Sequence, residues 1–281
     1  MEITHHYFDT GDVVLHYARA GTGDPVLLLH GWPQSWYCWR KIMPALAQRY
    51  AVIAPDLRGL GDSSRPLEGY DKRVIAEDIW KLTQHLSFDR YFLVGHDWGG
   101  PVAFCLAATH SAAIRGLVML DTAVPGDGSG TFSQHGRRWH HAFHQTADLP
   151  EALVTGREEI YLGWFYRQYG YTAGAISPDD IQEYLRTYRQ PGALRAGFAY
   201  YRALNQDVAH NQTLLAHGKL TMPVLALGGG KAFGRGAETL ESLKRVALDV
   251  RGGVIEDCGH WIAEEQPEAV TRAVLDFFAE Q

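Results

Sequence analysis

The hydrophobic positions along this chain fall into short apolar runs and longer stretches of helical spacing. Apolar runs bounded by turn residues predict strands at 26–29, 51–55, 91–94, 117–120, 224–227 and 250–255. Apolar residues at helical spacing predict helices over about 36–49, 71–86, 101–110, 237–247 and 267–280. A further pair of strands is predicted over residues 7–19, around the turn at Gly11. Strands that alternate with helices are typical of a parallel α/β sheet.

The alternation stops between the strands at 117–120 and 224–227. From residue 124 to residue 218 the pattern is helical and rich in aromatic residues. We therefore expect an α/β core formed by residues 1–123 and 219–281, interrupted by a helical insertion over residues 124–218.

Composition and charge exclude several classes of protein. The 281 residues include 46% hydrophobic and 21% charged ones, as in an ordinary globular protein. The net charge is −6 and no long basic run occurs, so no nucleic-acid partner is expected. No apolar stretch approaches the roughly 18 residues of a membrane helix, and no signal peptide is recognisable. We expect a cytoplasmic protein that does not bind membranes, and the three distant cysteines predict neither a disulfide nor a metal site.

The sequence Gly95-His-Asp97-Trp-Gly99 follows a predicted buried strand and opens a predicted helix. The nucleophile-elbow motif G-x-S-x-G occupies the same strand–turn–helix context, and its glycines permit the tight turn. Asp97 stands where that motif has its serine. Asp97 could instead simply cap the following helix, which is a common role for aspartate.

Two later residues complete the pattern of a catalytic triad. The expected chain order is nucleophile, acid and then histidine. Asp121 ends the strand after the elbow, and His260 follows the last strand. After the strand at 224–227 no carboxylate occurs before Glu238, so Asp121 is the better candidate for the acid, although it could also be a turn cap.

The segment His30-Gly-Trp32-Pro33 ends the predicted strand at 26–29. We expect the backbone N–H groups of Trp32 and Trp98 to form an oxyanion hole, since such donors stabilise charge that develops in a transition state. Trp32–Pro33 is a candidate cis peptide bond because it falls in a tight turn.

An aspartate nucleophile restricts the chemistry. Its carboxylate is already ionised at neutral pH and can displace a leaving group from a saturated carbon, forming an alkyl ester. His260, oriented by Asp121, would then activate water to hydrolyse that ester. Epoxides and alkyl halides are the substrates that suit this division of labour.

These motifs resemble the epoxide hydrolase branch of the α/β-hydrolase superfamily, and the insertion resembles its helical cap. Segments 54–57, 139–140, 198–205 and 225–230 are similar to those of the Cif-like epoxide hydrolases. The resemblance implies that His140 and Tyr201 form the ring-opening pair, and that Trp139, His141 and Trp261 contact substrate. It also implies an epoxide and water as reactants, no cofactor, and a possible homodimer.

Less specific interpretations exist for the cap residues. Tyr201 could be an ordinary packing residue of the insertion. His140, His141 and His144 have a helical spacing suited to metal binding, but no carboxylate or cysteine partner is evident nearby, so no metal is expected.

The main alternative activity is dehalogenation of haloalkanes or haloacids, which uses the same nucleophile. Trp98 fits a halide donor, but Trp32 replaces the asparagine often found in such enzymes, and no second donor is evident. Fluoroacetate dehalogenases carry arginines around the nucleophile where Trp98 and Pro101 stand here, and His141 replaces a halide-binding tryptophan. A non-enzymatic binding protein of this fold would be expected to have a damaged triad, and a serine hydrolase would need serine at position 97.

Overall fold

A computed structural model describes residues 2–130 and 132–281 of the chain. Within these ranges the strands form one eight-stranded sheet in the order β1-β2-β4-β3-β5-β6-β7-β8. The strands are β1 (Thr4–Asp9), β2 (Val14–Ala20), β3 (Asp24–Leu29), β4 (Tyr50–Pro55), β5 (Tyr91–His96), β6 (Ile114–Leu120), β7 (Val224–Gly229) and β8 (Val250–Ile255). Strands β1, β2 and β4 pair antiparallel and all other pairs are parallel, which confirms the predicted fold class.

The helices lie on both faces of this sheet and in the insertion. They are α1 (Met43–Leu46), α2 (Lys72–His85), α3 (Gly99–Thr109), α4 (His140–Gln145), α5 (Leu149–Val154), α6 (Glu158–Gln168), α7 (Pro178–Tyr188), α8 (Ala193–Arg202), α9 (Leu204–Ala216), α10 (Ala237–Val246), α11 (Ile262–Glu265) and α12 (Pro267–Ala279). Helices α4 to α9 all fall between β6 and β7, within the predicted insertion. Among the described residues, no helix combines the length and the apolar character that crossing a membrane requires.

One predicted helix is wrong. The stretch 36–49 contains a short 3₁₀ helix, Trp36–Trp39, followed by the four-residue α1. Pro44 lies in the first turn of α1. Because proline has no N–H and its ring clashes with the carbonyl four residues earlier, a continuous helix cannot pass through this position.

The central strands explain where a functional site can form. Strands β5 and β6 are apolar and buried along nearly their whole length, as expected for parallel strands covered on both faces. The carboxyl ends of parallel strands meet at one edge of the sheet, where ligands bind in open α/β folds. The loops that follow β3, β5, β6 and β8 carry Trp32, Asp97, Asp121 and His260 to that edge.

Candidate active site

Asp97 occupies a sharp turn between β5 and α3. Its φ angle is +49°, in the left-handed region that residues other than glycine rarely adopt. A Cβ on Gly95 would lie 2.6 Å from the carbonyl oxygen of Gly99, and one on Gly99 would lie 2.1 Å from that of Leu29. The turn therefore needs both glycines, and it presents the carboxylate of Asp97 beyond the end of the sheet.

The loop after β3 approaches the Asp97 carboxylate closely. The backbone N–H of Trp32 donates a hydrogen bond to Asp97 Oδ1 at 2.9 Å. A Cβ on Gly31 would lie only 2.3 Å from the same oxygen, so glycine is required there. The Trp32–Pro33 peptide bond is cis, as the sequence predicted. The backbone N–H of Trp98 is a second donor to the carboxylate.

His260 lies between two carboxylates. Its Nδ1 is 2.6 Å from Asp121 Oδ2, and its Nε2 is 3.3 Å from Asp97 Oδ2. The other oxygen of Asp121 accepts hydrogen bonds from the N–H groups of Gly229 (2.8 Å) and Arg235 (2.7 Å). Asp121 is thus fixed by the backbone, and it orients the imidazole with Nε2 toward Asp97.

The charged groups of this cluster shift one another's pKa values toward the ionised forms. Burial alone would raise the pKa of Asp97, but its hydrogen bond with His260 and the charge of that imidazole hold the pKa well below its usual range. Burial lowers the pKa of His260, yet hydrogen bonds with Asp121 and Asp97 outweigh this effect and leave the pKa above its ordinary value. Asp97 is therefore ionised at neutral pH without the help of a base.

The predicted ring-opening pair comes from the insertion and packs against the core residues that hold Asp97. The His140 ring, on α4, is stacked on the indole of Trp32 with centroids 5.8 Å apart. The Tyr201 ring, on α8, makes edge contacts with Trp32 at 5.5 Å and Trp98 at 5.0 Å. These four side chains are buried, whereas Asp97 keeps 18% of its side-chain surface exposed. The carboxylate is therefore partly open to the space between these rings.

The three predicted substrate contacts occupy different environments. The His141 ring lies 5.2 Å from that of Tyr201 and 6.1 Å from that of Trp98, so His141 borders the same space. Trp261 is buried beside His260, with ring centroids 4.7 Å apart, and its indole N–H donates to the carbonyl of Tyr166. Trp261 therefore packs against the ring of His260.

Trp139 does not join this group. It is 43% exposed, and its ring contacts Trp164 and Phe165 on α6. Trp139 precedes the first residue of α4, and its ring points away from the buried rings of His140 and His141 toward the surface. The structure gives no support to the prediction that Trp139 binds substrate.

Tyr169, the residue that follows α6, contacts two of the site histidines although the sequence did not predict it as a site residue. Its hydroxyl is 3.0 Å from His140 Nδ1, and its carbonyl accepts the backbone N–H of His260 at 2.8 Å. The signal available in the sequence was weak. Phe165 and Tyr169 are four residues apart and so share one face of α6, but periodicity alone does not reveal what that face contacts.

A metal centre is not evident at this site. Within residues 2–130 and 132–281, His16, Asp56 and Asp62 are the group whose donor atoms all lie within 4.8 Å of one another, and it does not include the triad. Asp56 already accepts hydrogen bonds from His16 and from the N–H groups of Trp36 and Asp62. Asp62 is held by Arg186. Because these contacts already engage both carboxylates, we interpret the group as structural.

The model of the α/β hydrolase fold family matches residues 24–267. The chain belongs to this family.

Its relatives include enzymes of both classes considered above. A soluble epoxide hydrolase of Corynebacterium sp. is 40% identical over 285 residues, which cover 99% of this chain and 98% of that protein. A fluoroacetate dehalogenase of Burkholderia sp. is 34% identical over 205 residues, 69% of this chain and 67% of that protein. The crystal structure of Cfl2 from Burkholderia cenocepacia superimposes with a TM-score of 0.92 at 40% identity, covering 98% of this chain and 96% of that one.

Proposed function

We propose that this protein is an epoxide hydrolase that opens an epoxide to a vicinal diol through an alkyl ester on Asp97. Since Trp32 N–H holds Oδ1, Oδ2 is the oxygen left to attack a ring carbon. The C–O bond of the ring breaks as the ester bond forms, and the ring oxygen takes a proton or a hydrogen bond from Tyr201 or His140. The product alkoxide stays attached to the ester, so a donor beside the ring oxygen is essential.

Hydrolysis of the ester is the second step. His260 takes a proton from water, and the resulting hydroxide attacks the Asp97 carbonyl carbon. The negative charge on Oδ1 is stabilised by the N–H groups of Trp32 and Trp98, as in other oxyanion holes. As this intermediate collapses, the ester C–O bond breaks and His260 gives its proton to the leaving alkoxide oxygen, which releases the diol. The proton left on the Asp97 carboxyl group returns to the residue that protonated the ring oxygen, and the Asp97 carboxylate and neutral His260 are regenerated.

One observation carries the proposal. The elbow holds an ionised aspartate whose Oδ1 is bound by an oxyanion donor and whose Oδ2 lies 3.3 Å from the triad histidine. A serine hydrolase needs a hydroxyl in this position, whereas alkylation of a carboxylate needs no base. The identity to an epoxide hydrolase over nearly the full chain supports the epoxide as the substrate class.

Dehalogenation is the second candidate, because a fluoroacetate dehalogenase is among the relatives. That reaction needs donors for a halide ion, and for haloacids it also needs a cation for the carboxylate. Trp98 and Pro101, the positions at which fluoroacetate dehalogenases carry arginines, are buried and uncharged. These two positions therefore supply no cation for a substrate carboxylate.

Trapping the ester separates the two activities. In His260→Gln, alkylation of Asp97 should proceed while hydrolysis stalls, and intact-mass spectrometry should show an adduct of the mass of styrene oxide. Asp97→Asn in the same background is the control and should show no adduct. An adduct with 1-bromobutane or fluoroacetate, and none with a panel of epoxides, would show that the protein is a dehalogenase.

The homodimer and the cytoplasmic location remain predictions. Sedimentation equilibrium of the purified protein tests the first, and fractionation of cells that express the native gene tests the second.

A further inference from the structure

Tyr169 joins two parts of the proposed active site. Its hydroxyl is hydrogen-bonded to His140 Nδ1 at 3.0 Å, and its carbonyl accepts the N–H of His260 at 2.8 Å. Among the described residues, the His140 ring has no other hydrogen-bond partner. Its Nε2 is therefore the nitrogen available to a substrate.

The proton on the His140 ring can sit on either nitrogen, and the difference matters. Burial keeps His140 neutral by lowering its pKa well below the ordinary value, and the neighbouring His141, His144, Arg138 and His260 act in the same direction. A neutral imidazole carries one N–H, and the hydrogen bond made by the other nitrogen decides which one. With the proton on Nδ1, Nε2 could only accept a hydrogen bond and could not assist the opening of an epoxide.

The Tyr169 hydroxyl is a suitable donor to Nδ1. Burial raises the pKa of Tyr169 to about 12, so the hydroxyl keeps its proton at any working pH. The side chain is also fixed in place. Its ring is stacked on that of Phe233, with centroids 4.3 Å apart, and is itself buried.

The backbone around Tyr169 is clamped to the loop that carries His260. The Glu265 carboxylate accepts four backbone hydrogen bonds, and the donors lie on both sides of the junction. They are the N–H groups of Tyr171 (2.7 Å), Thr172 (2.9 Å), Gly259 (3.0 Å) and Trp261 (3.0 Å). Glu265 therefore links the insertion to the loop that carries His260.

We infer that Tyr169 is a positioning residue that holds His140 in the tautomer with its proton on Nε2, so that this N–H donates to the epoxide oxygen. The inference rests on the proposed function, since it assigns His140 its donor role in that reaction. Tyr169, which orients the donor His140, is also hydrogen-bonded through its carbonyl to the backbone N–H of the general base, His260.

A double-mutant cycle on the alkylation step tests this inference. In the His260→Gln background, the rate of adduct formation from styrene oxide is followed by quenched-flow and intact-mass spectrometry. Tyr169→Phe should slow alkylation about 10- to 100-fold, the range of a misplaced proton donor. In His140→Gln, whose amide N–H₂ is a donor without any tautomer, the same Tyr169→Phe change should cost less than about threefold.

Tyr161→Phe is the matched control, because Tyr161 also lies on α6 and its hydroxyl is 2.7 Å from the ring nitrogen Nε2 of another histidine, His144. This change should leave alkylation within about twofold, the range of a non-participating contact. An equal loss from Tyr169→Phe in both His140 backgrounds, or no loss in either, would overturn the inference. Absence of any adduct in His260→Gln itself would instead refute the proposed function.

The tautomer can also be observed without any activity measurement. Nitrogen-15 histidine spectra of the wild-type protein, with the His140 signals assigned by their loss in His140→Gln, should show a protonated Nε2 and an unprotonated Nδ1. Protonated Nδ1 would overturn the inference even if Tyr169→Phe proved inactive.

Discussion

The imidazole of His260 lies between two carboxylates, and its charge depends on the state of one of them. In the free protein, Asp121 and Asp97 together hold the pKa of His260 above its ordinary value against the effect of burial. In the proposed reaction, esterification removes the negative charge of Asp97, so that only Asp121 remains to favour the imidazolium. Alkylation therefore lowers the pKa of His260 and converts it into a general base when one is needed.

This coupling predicts different pH dependences for the two steps. Alkylation needs ionised Asp97, whose pKa lies well below its usual range, so its rate should be flat between about pH 5 and 8. Hydrolysis needs neutral His260, so its rate should fall as pH decreases through the pKa of His260 in the ester, by about tenfold per pH unit. Single-turnover kinetics resolve the two steps, and a parallel decline of both rates would contradict this account.

The triad could be predicted from the sequence because each member has a local signature. Asp97 lies in a strand–turn–helix motif, and Asp121 and His260 follow strands in the expected order. Tyr169 and Trp139 had no such signature. Tyr169 follows α6 and packs on Phe233, whereas Trp139 precedes α4 and packs on Trp164. These contacts join residues far apart in the chain, so the local sequence does not reveal them.

At the scale of elements, a buried ion pair fastens the insertion to the core. Lys72 at the start of α2 places its Nζ 2.9 Å from Asp207 Oδ2 on α9 and 2.5 Å from the carbonyl of Tyr200 on α8. The same ammonium lies 4.1 Å from the ring centre of Trp98. Lys72 and Asp207 are both buried, so each charge depends on the other.

Removing one partner of this pair should therefore be costly. Lys72→Met leaves Asp207 buried without its counter-ion, and we expect a loss of about 3–5 kcal/mol in the free energy of unfolding. Replacing both partners, Lys72→Met with Asp207→Leu, should cost clearly less because no charge is stranded. Urea denaturation followed by circular dichroism measures both values.

Lys81 provides the control on the same helix. Its partner Asp12 is 3.7 Å away; the Asp12 side chain is exposed and that of Lys81 is partly exposed. Lys81→Met should change stability by less than about 1 kcal/mol, as is usual for exposed pairs. A Lys72→Met variant as stable as Lys81→Met would show that the buried pair does not fasten the insertion.

Across the whole molecule, the proposed reaction draws one set of groups from the sheet and the other from the insertion. The sheet edge presents the nucleophile, the base and the oxyanion donors, and the insertion lays His140 and Tyr201 over them. The sequence predicted the sheet well because buried parallel strands are unbroken apolar runs. It predicted the insertion only as helical, since the arrangement of α4 to α9 over the sheet depends on contacts between residues far apart in the chain.

In the proposed mechanism Asp97 itself attacks the substrate, and a single turnover in oxygen-18 water shows whether it does. With enzyme in excess over styrene oxide, the new oxygen of the diol comes from the Asp97 carboxylate, so the diol should contain no oxygen-18. The label should appear instead in the active-site peptide that contains Asp97. A labelled diol from an unlabelled enzyme would mean that water attacks the epoxide directly, and would contradict the account.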